Sequence, residues 1–187
     1  MEGVNFTKHF GILDLVLNGQ KTMFRLVSRK RGEGRLYNNH RYHIGDKLAI
    51  LQPYQEIGLN PSYICTVLDD DGESVKMLAK DTPGWTKSTS ADPHLMIHHI
   101  KITGVKTEKI QDISDEDCRL EGIVPVDISD LGGLDGRMPF EGYSLDGKTW
   151  AGTTPREVFK NISNKAIRKD AWLNNKYVDC YTFELID

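Results

Sequence analysis

The chain is poor in cysteine and has no long apolar run. Cys65, Cys118 and Cys180 are odd in number, widely spaced and form no CxxC pair. A disulfide framework or a cysteine-rich zinc site needs closer, paired thiols, so these read as reduced core residues, which points to the cytoplasm. No stretch is long enough to span a bilayer, and the first residues lack the apolar core of a secretory signal, so no membrane partner is expected. An excess of positive charge is missing as well. The formal net charge is −3, which argues against a coat for duplex DNA, since that needs many uncompensated lysines and arginines. The GxSxG, HExxH and zinc-deaminase patterns do not occur,. His40 with His43, and His94 with His98 and His99, have spacings that metals sometimes use. No cysteine or carboxylate completes a standard set, so neither a metal nor a cofactor is expected.

What remains is ordinary in bulk and uneven in detail. A chain of 187 residues can bury a sizeable core and is most simply a single domain, residues 1–187, with a large insertion. Its most informative stretch is Phe10 to Arg25, FGILDLVLNGQKTMFR. Phe6, Phe10, Leu13 and Leu17 fall at helical spacing, Thr7 is the expected N-cap, and Asn18-Gly19 is a strong helix stop. Lys21, Thr22 and Arg25 follow at once, held at the rim of the core by a rigid element. Cations there either solvate a surface or face an anionic ligand. From Lys21 to Arg41 stand Lys21, Arg25, Arg29, Lys30, Arg31, Arg35 and Arg41 against Glu33 alone, with Phe24, Tyr37 and Tyr42 interleaved. Aromatics beside cations suit stacking on unpaired bases while neutralising phosphates. A solvated basic loop is the competing reading.

Downstream, His43 to Tyr54 reads as a turn at Gly45-Asp46 followed by a strand. Tyr63–Leu68 and Ser74–Leu78 flank DDDGE and predict a β-hairpin. Lys80 to Pro93 is loop-like, and Met96 to Ile110 is one strand or two joined at Gly104. Asp112 to Ile123 predicts a short helix with Ser114 as N-cap, Gly122 as stop and Glu121 as its last residue. A carboxylate at that negative end tends towards a raised pKa unless a cation lies near, and either state serves proton transfer. An exposed structural glutamate is the plainer reading. Residues 126–152, dense in glycine and aspartate, read as a surface excursion without periodicity. Thr154-Pro155 with Glu157 opens a helix that buries Val158, Phe159, Ile162 and Ala166. In the last strand Tyr177, Asp179, Tyr181 and Phe183 alternate with Val178, Cys180, Thr182 and Glu184.

Four segments then resemble a known family in order and spacing: LNGQKTMFR, YHIGDKLAI, KIQDISDEDCRLEGI and NNKYVDCYTFELI. They are similar to the ASCH domain, in particular to the longer ASCH proteins often encoded by phages and prophages. The likeness runs from about Asn5 to Ile186. It implies an α+β, strand-rich fold, a PUA-like β-barrel with flanking helices, and a cleft beside the GxKT turn. PUA-like domains commonly bind RNA. Some small ASCH proteins are amidohydrolases of N4-acetylcytidine that use a lysine, a threonine three residues later and a distant glutamate; others are reported as ribonucleases. Here the lysine falls on Lys21 and the glutamate on Glu121, whereas the threonine position is Phe24. The family's arginine has its counterpart at Arg25, one residue early.

The resemblance therefore implies an RNA- or nucleotide-binding domain whose ligand site includes Lys21, Thr22, Arg25, Tyr42 and Glu121. Its partner would be RNA or a modified nucleoside or nucleotide, with Lys21 and Arg25 meeting phosphate or a base carbonyl. An alternative is a hydrolase of acylated nucleosides, or a ribonuclease, with Lys21 and Glu121 as catalytic base and acid. Phe24 carries no nucleophile for it, and an extended segment would turn Thr22 to the opposite side. A third reading is a phage accessory module that binds another protein.

Overall fold

The computed structural model describes residues 1–6, 11–28, 40–69, 71–127, 141–147, 151–167 and 170–187. Strands dominate them: nine β-strands against three α-helices make the chain α+β and strand-rich. No closed barrel is found among the described residues. No described helix is long and apolar enough to cross a membrane. The chain divides into two compact units.

The first unit comprises Met1–Phe6, Lys47–Ile100 and Ile186–Asp187. Strand β1 (Glu2–Val4) pairs parallel with β3 (Lys47–Ile50), where Gly3 lies opposite Ala49. A Cβ at Gly3 would lie 2.5 Å from the Leu51 side chain, so any larger residue there would have to displace Leu51. The hairpin of β4 (Ile64–Leu68) and β5 (Ser74–Leu78) lies where the turn sequence predicts, β4 beginning one residue later at Ile64, which stands opposite Leu78. The 80–93 stretch is more ordered than a plain loop. It folds into successive 3-10 turns, two of them opened by Pro83 and Pro93, because proline presets the helical φ at a first position,. Their Ala79 and Ala91 join Ala49, Tyr54, Cys65 and Met96 in an apolar core.

The second unit comprises Thr7–Asp46 and Lys101–Leu185. Helix α1 (Ile12–Leu17) ends at Asn18, and Gly19 takes φ of 76°, the left-handed stop expected of Asn-Gly,. The expected N-cap Thr7 and the apolar Phe10 lie outside the described residues, and the buried face is Ile12, Leu13, Leu15 and Val16. Strand β2 (Met23–Val27) pairs antiparallel with β9 (Tyr177–Leu185), and β9 lies between β2 and β6 (His99–Lys109). β6 is one strand with no break at Gly104. A Cβ at Gly104 would sit 2.5 Å from Thr182 Oγ1, so glycine serves the close approach of β9 rather than a turn,.

Helix α2 (Asp115–Leu120) begins as the capping pattern requires, the Asp117 amide donating to Ser114 Oγ at 3.1 Å. Helix α3 (Pro155–Ala166) is capped in the same way by Thr154 Oγ1, which accepts from the Glu157 amide. The side chains of Val158, Phe159 and Ile162 are buried as its pattern predicts; that of Ala166 lies outside the described residues. The glycine-rich stretch departs from expectation at its ends. β7 (Val124–Asp127) and β8 (Glu141–Ser144) pair antiparallel, so these parts are a ribbon and not an irregular excursion. Residues 128–140 and 148–150 lie outside the described residues.

Candidate functional site

Lys21 and Glu121, 100 residues apart in sequence, meet inside the second unit. Both sit at element ends. The Lys21 amide donates to Leu15 O at 2.8 Å, closing the turn after α1, and Glu121 is the C-cap of α2. Gly122 lets the two segments touch. Its φ is 97°, and a Cβ there would lie 3.1 Å from Leu15 Cδ1 and 3.3 Å from Lys21 Cβ. Any side chain would be strained by that φ and would also press on Lys21. Gln20 ties the same corner to the ribbon, donating through Nε2 to Gly122 O at 2.9 Å and to Leu145 O at 3.2 Å.

The meeting is an ion pair. Lys21 Nζ bonds Glu121 Oε2, and it also lies 3.3 Å from the Glu121 carbonyl oxygen. Arg25, two positions along β2 from Met23 and on the same side as Lys21, bonds the other carboxylate oxygen, Oε1, through Nη1,. Its Nη2 reaches Asp117 Oδ2 at 2.8 Å and Glu108 Oε1 at 3.0 Å. Lys106 closes the circuit, 2.6 Å from Asp117 Oδ2 and 3.0 Å from Glu108 Oε2. Three cations thus balance three carboxylates. Lys21, Arg25, Asp117 and Glu121 are buried, while the Lys106 side chain is half exposed. The guanidinium carbon of Arg25 stands 5.3 Å from the centre of the Phe159 ring, and among the described residues Arg25 Nε has no hydrogen-bond partner.

Burial pushes the Lys21 ammonium down from its ordinary value; Glu121 pulls it back, and Arg25 pushes it down again,. The net direction is down, so Lys21 gives up its proton more readily than a free lysine. Burial opposes the charge on Arg25 too, but Glu121 and Glu108 outweigh it and hold the guanidinium charged. For Glu108 the hydrogen bonds from Lys106 and Arg25 overcome burial and hold its carboxyl below the usual range. Burial pushes the thiols of Cys118 and Cys180 up to about 12, so neither is a thiolate nucleophile,.

The other residues of the sequence-based site lie elsewhere. Alternation along β2 sends Phe24 to the face opposite Arg25. There its ring stacks on Tyr181 at 5.1 Å and stands edge-on to Tyr42 at 6.2 Å. Tyr42, only 2% exposed, is part of that aromatic core and does not join Lys21 and Glu121. Thr22 follows Phe24: the Phe183 amide donates to Thr22 O at 2.9 Å, so the ladder with β9 continues to Thr22. Its side chain therefore lies across the strand from Lys21. Of the expected set, the structure unites Lys21, Arg25 and Glu121 and separates Thr22 and Tyr42 from them.

Sequence reading passed over Lys106, Glu108 and Asp117. The first two alternate around Thr107 on a strand, a signal for one shared face, while Asp117 read only as an acid in a helix first turn. It also excluded a phosphate-binding P-loop from the glycine-rich stretch, yet Gly142 to Thr149, GYSLDGKT, has that motif's spacing,. The context differs from that motif. Gly142 is inside β8, opposite Val126 of an antiparallel ribbon, and the Gly147 amide donates back to Ser144 Oγ at 2.9 Å. Lys148 and Thr149 lie outside the described residues. Among the described residues no group of three or more histidines, cysteines and carboxylates is placed to hold a metal ion. Compared with protein-family models, with curated proteins and with solved structures, the chain finds no match.

Proposed function

We propose that the chain is an ASCH-type, PUA-like domain of the cytoplasm that binds RNA or a nucleotide beside the GQKT turn. The observation that carries this reading is the ion pair of Lys21 and Glu121, the two positions the resemblance assigns to the ligand site, with Arg25 on the second carboxylate oxygen. Electrostatics narrows the ligand. Each of the three cations is already matched by a carboxylate, so among the described residues of the network an incoming phosphate would meet three acids and no spare positive charge. A neutral nucleobase edge with a carbonyl and an exocyclic amine fits better. The carbonyl would accept from Lys21 and the amine would donate to Glu121, so each buried group keeps a partner.

A hydrolytic reading has one observation of its own, the lowered pKa of Lys21, which suits a general base,. It lacks a positioned hydroxyl, because Phe24 and Thr22 both lie across the strand. One experiment separates the two readings. The protein and its Lys21→Met and Glu121→Gln variants are titrated into labelled single-stranded RNA by fluorescence anisotropy, and each is assayed for N4-acetylcytidine hydrolysis. The binding reading expects affinity that both variants lose, with no turnover. Turnover abolished by both substitutions would replace it with the hydrolase, and failure to bind any strand would remove it.

A further inference from the structure

The opposite face of the same sheet carries a second set of polar and aromatic groups. Tyr177 opens β9 with its side chain half exposed, and Lys109, the exposed last residue of β6, holds its ammonium 5.9 Å from the centre of the Tyr177 ring. Two residues on, and therefore on the same face, Asp179 is fixed by two hydroxyl donors that converge on one oxygen, with an imidazole nitrogen close beside it. Ser28 Oγ lies 2.7 Å from Oδ1, Thr107 Oγ1 2.8 Å and His40 Nδ1 3.3 Å. Among the described residues none of these donors meets Oδ2. A carboxylate held so rigidly, with one oxygen left over and 13% of its side chain exposed, is preorganised to accept from a ligand,.

We propose that Tyr177, Lys109 and Asp179 form a stacking subsite for one unpaired base of a single-stranded nucleic acid. A base stacking on the Tyr177 ring takes the place of the Lys109 ammonium over it, the displaced ammonium meets the adjoining phosphate, and Asp179 Oδ2 accepts from an exocyclic amine,. This rests on the nucleic-acid reading of the domain and deepens it. The Lys21 network has no spare charge for phosphate, whereas Lys109, at the exposed end of its strand, can supply one. The subsite lies across the sheet from Lys21 and Glu121, so a strand would touch two separate places on this unit.

The test measures binding of a fluorescein-labelled single-stranded oligonucleotide, as RNA and as DNA, by anisotropy. Tyr177→Ala is expected to weaken both about tenfold, while Tyr177→Phe, which keeps the ring, stays within about twofold of wild type. Lys109→Ala should lower the slope of log affinity against log salt by about one. Cytosine-rich strands should bind more tightly than uracil-rich ones in wild type and lose that preference in Asp179→Asn. Unchanged affinity in Tyr177→Ala, with wild type binding normally, would overturn the subsite and leave the domain's nucleic-acid reading intact. Absence of wild-type binding to any strand would overturn both, and the Tyr177→Phe variant separates loss of stacking from loss of fold.

Discussion

Phe24 and Arg25 are neighbours in one strand and almost equally buried, at 5% and 3% exposure, yet they are buried by opposite means. On one face Phe24 packs among Tyr42, Tyr181 and Phe183, with ring centres 5.1 to 6.2 Å apart. That face is stabilised by removing apolar area from water, which tolerates change of shape as long as volume is kept. On the other face Arg25 is held by three carboxylates, where every group depends on the next and loss of one partner strands a buried charge,. The aromatic face is a core. The charged face is a network of donors and acceptors in which each group is held by its partners.

The largest effect is expected at Arg25. Arg25→Met leaves Glu108, Asp117 and Glu121 with two lysines between them, and should cost about 3–5 kcal/mol in urea unfolding. A loss under about 1 kcal/mol would mean that the network is not load-sharing. Arg25→Lys keeps the charge but not the planar fork, and should still cost more than Phe24→Leu, which keeps most of the apolar volume. Next comes Phe24→Thr, which places at this position the residue type that the resemblance to the ASCH hydrolases would call for. It should cost about 3 kcal/mol through the cavity left among the rings. It should also yield no N4-acetylcytidine turnover, because position 24 faces away from Lys21. Turnover in that variant would contradict the assignment of faces along β2.

Smaller effects sharpen the contrast. The Glu108 carboxyl titrates below its ordinary 4.5 in the folded protein. The unfolded chain therefore takes up the proton first, and the stability this group contributes is present above about 4.5 and lost as the pH falls through the folded value. Acid unfolding of Glu108→Gln should be correspondingly less steep than that of wild type, whereas Phe24→Leu should leave the steepness unchanged. The smallest change is expected at Lys106. Its side chain is 49% exposed, so solvent and salt screen its pairs with Asp117 and Glu108, and Lys106→Ala should cost less than about 1 kcal/mol,.

Local chemistry was the legible part of this chain. Asn18-Gly19, Ser114 with Asp117, Gly122 and Thr154-Pro155 each act on their own backbone, so helix ends could be read from adjacent residues. Strand pattern likewise located β4, β5 and β9, while for β6 it left one strand or two open. The approach of Lys21 to Glu121 was legible only through the family resemblance, since no local rule links residues 100 apart. Three things were not legible. The ribbon of β7 and β8 pairs across a long stretch without periodicity. Lys106 and Glu108 show their role only when Arg25 is placed beside them. Tyr42, which looks like a stacking residue beside cations, is in fact buried against Phe24 and Tyr181, because aromatic composition alone does not reveal which face a ring occupies.

On the proposed reading, the Lys21–Arg25–Glu121 cluster takes a neutral base edge and not a phosphate. The most direct test is calorimetric titration of the protein with cytidine and, separately, with inorganic phosphate. Saturable heat with cytidine that Glu121→Gln abolishes, and none with phosphate, is the predicted result. Phosphate binding that Lys21→Met abolishes, with cytidine silent, would contradict it.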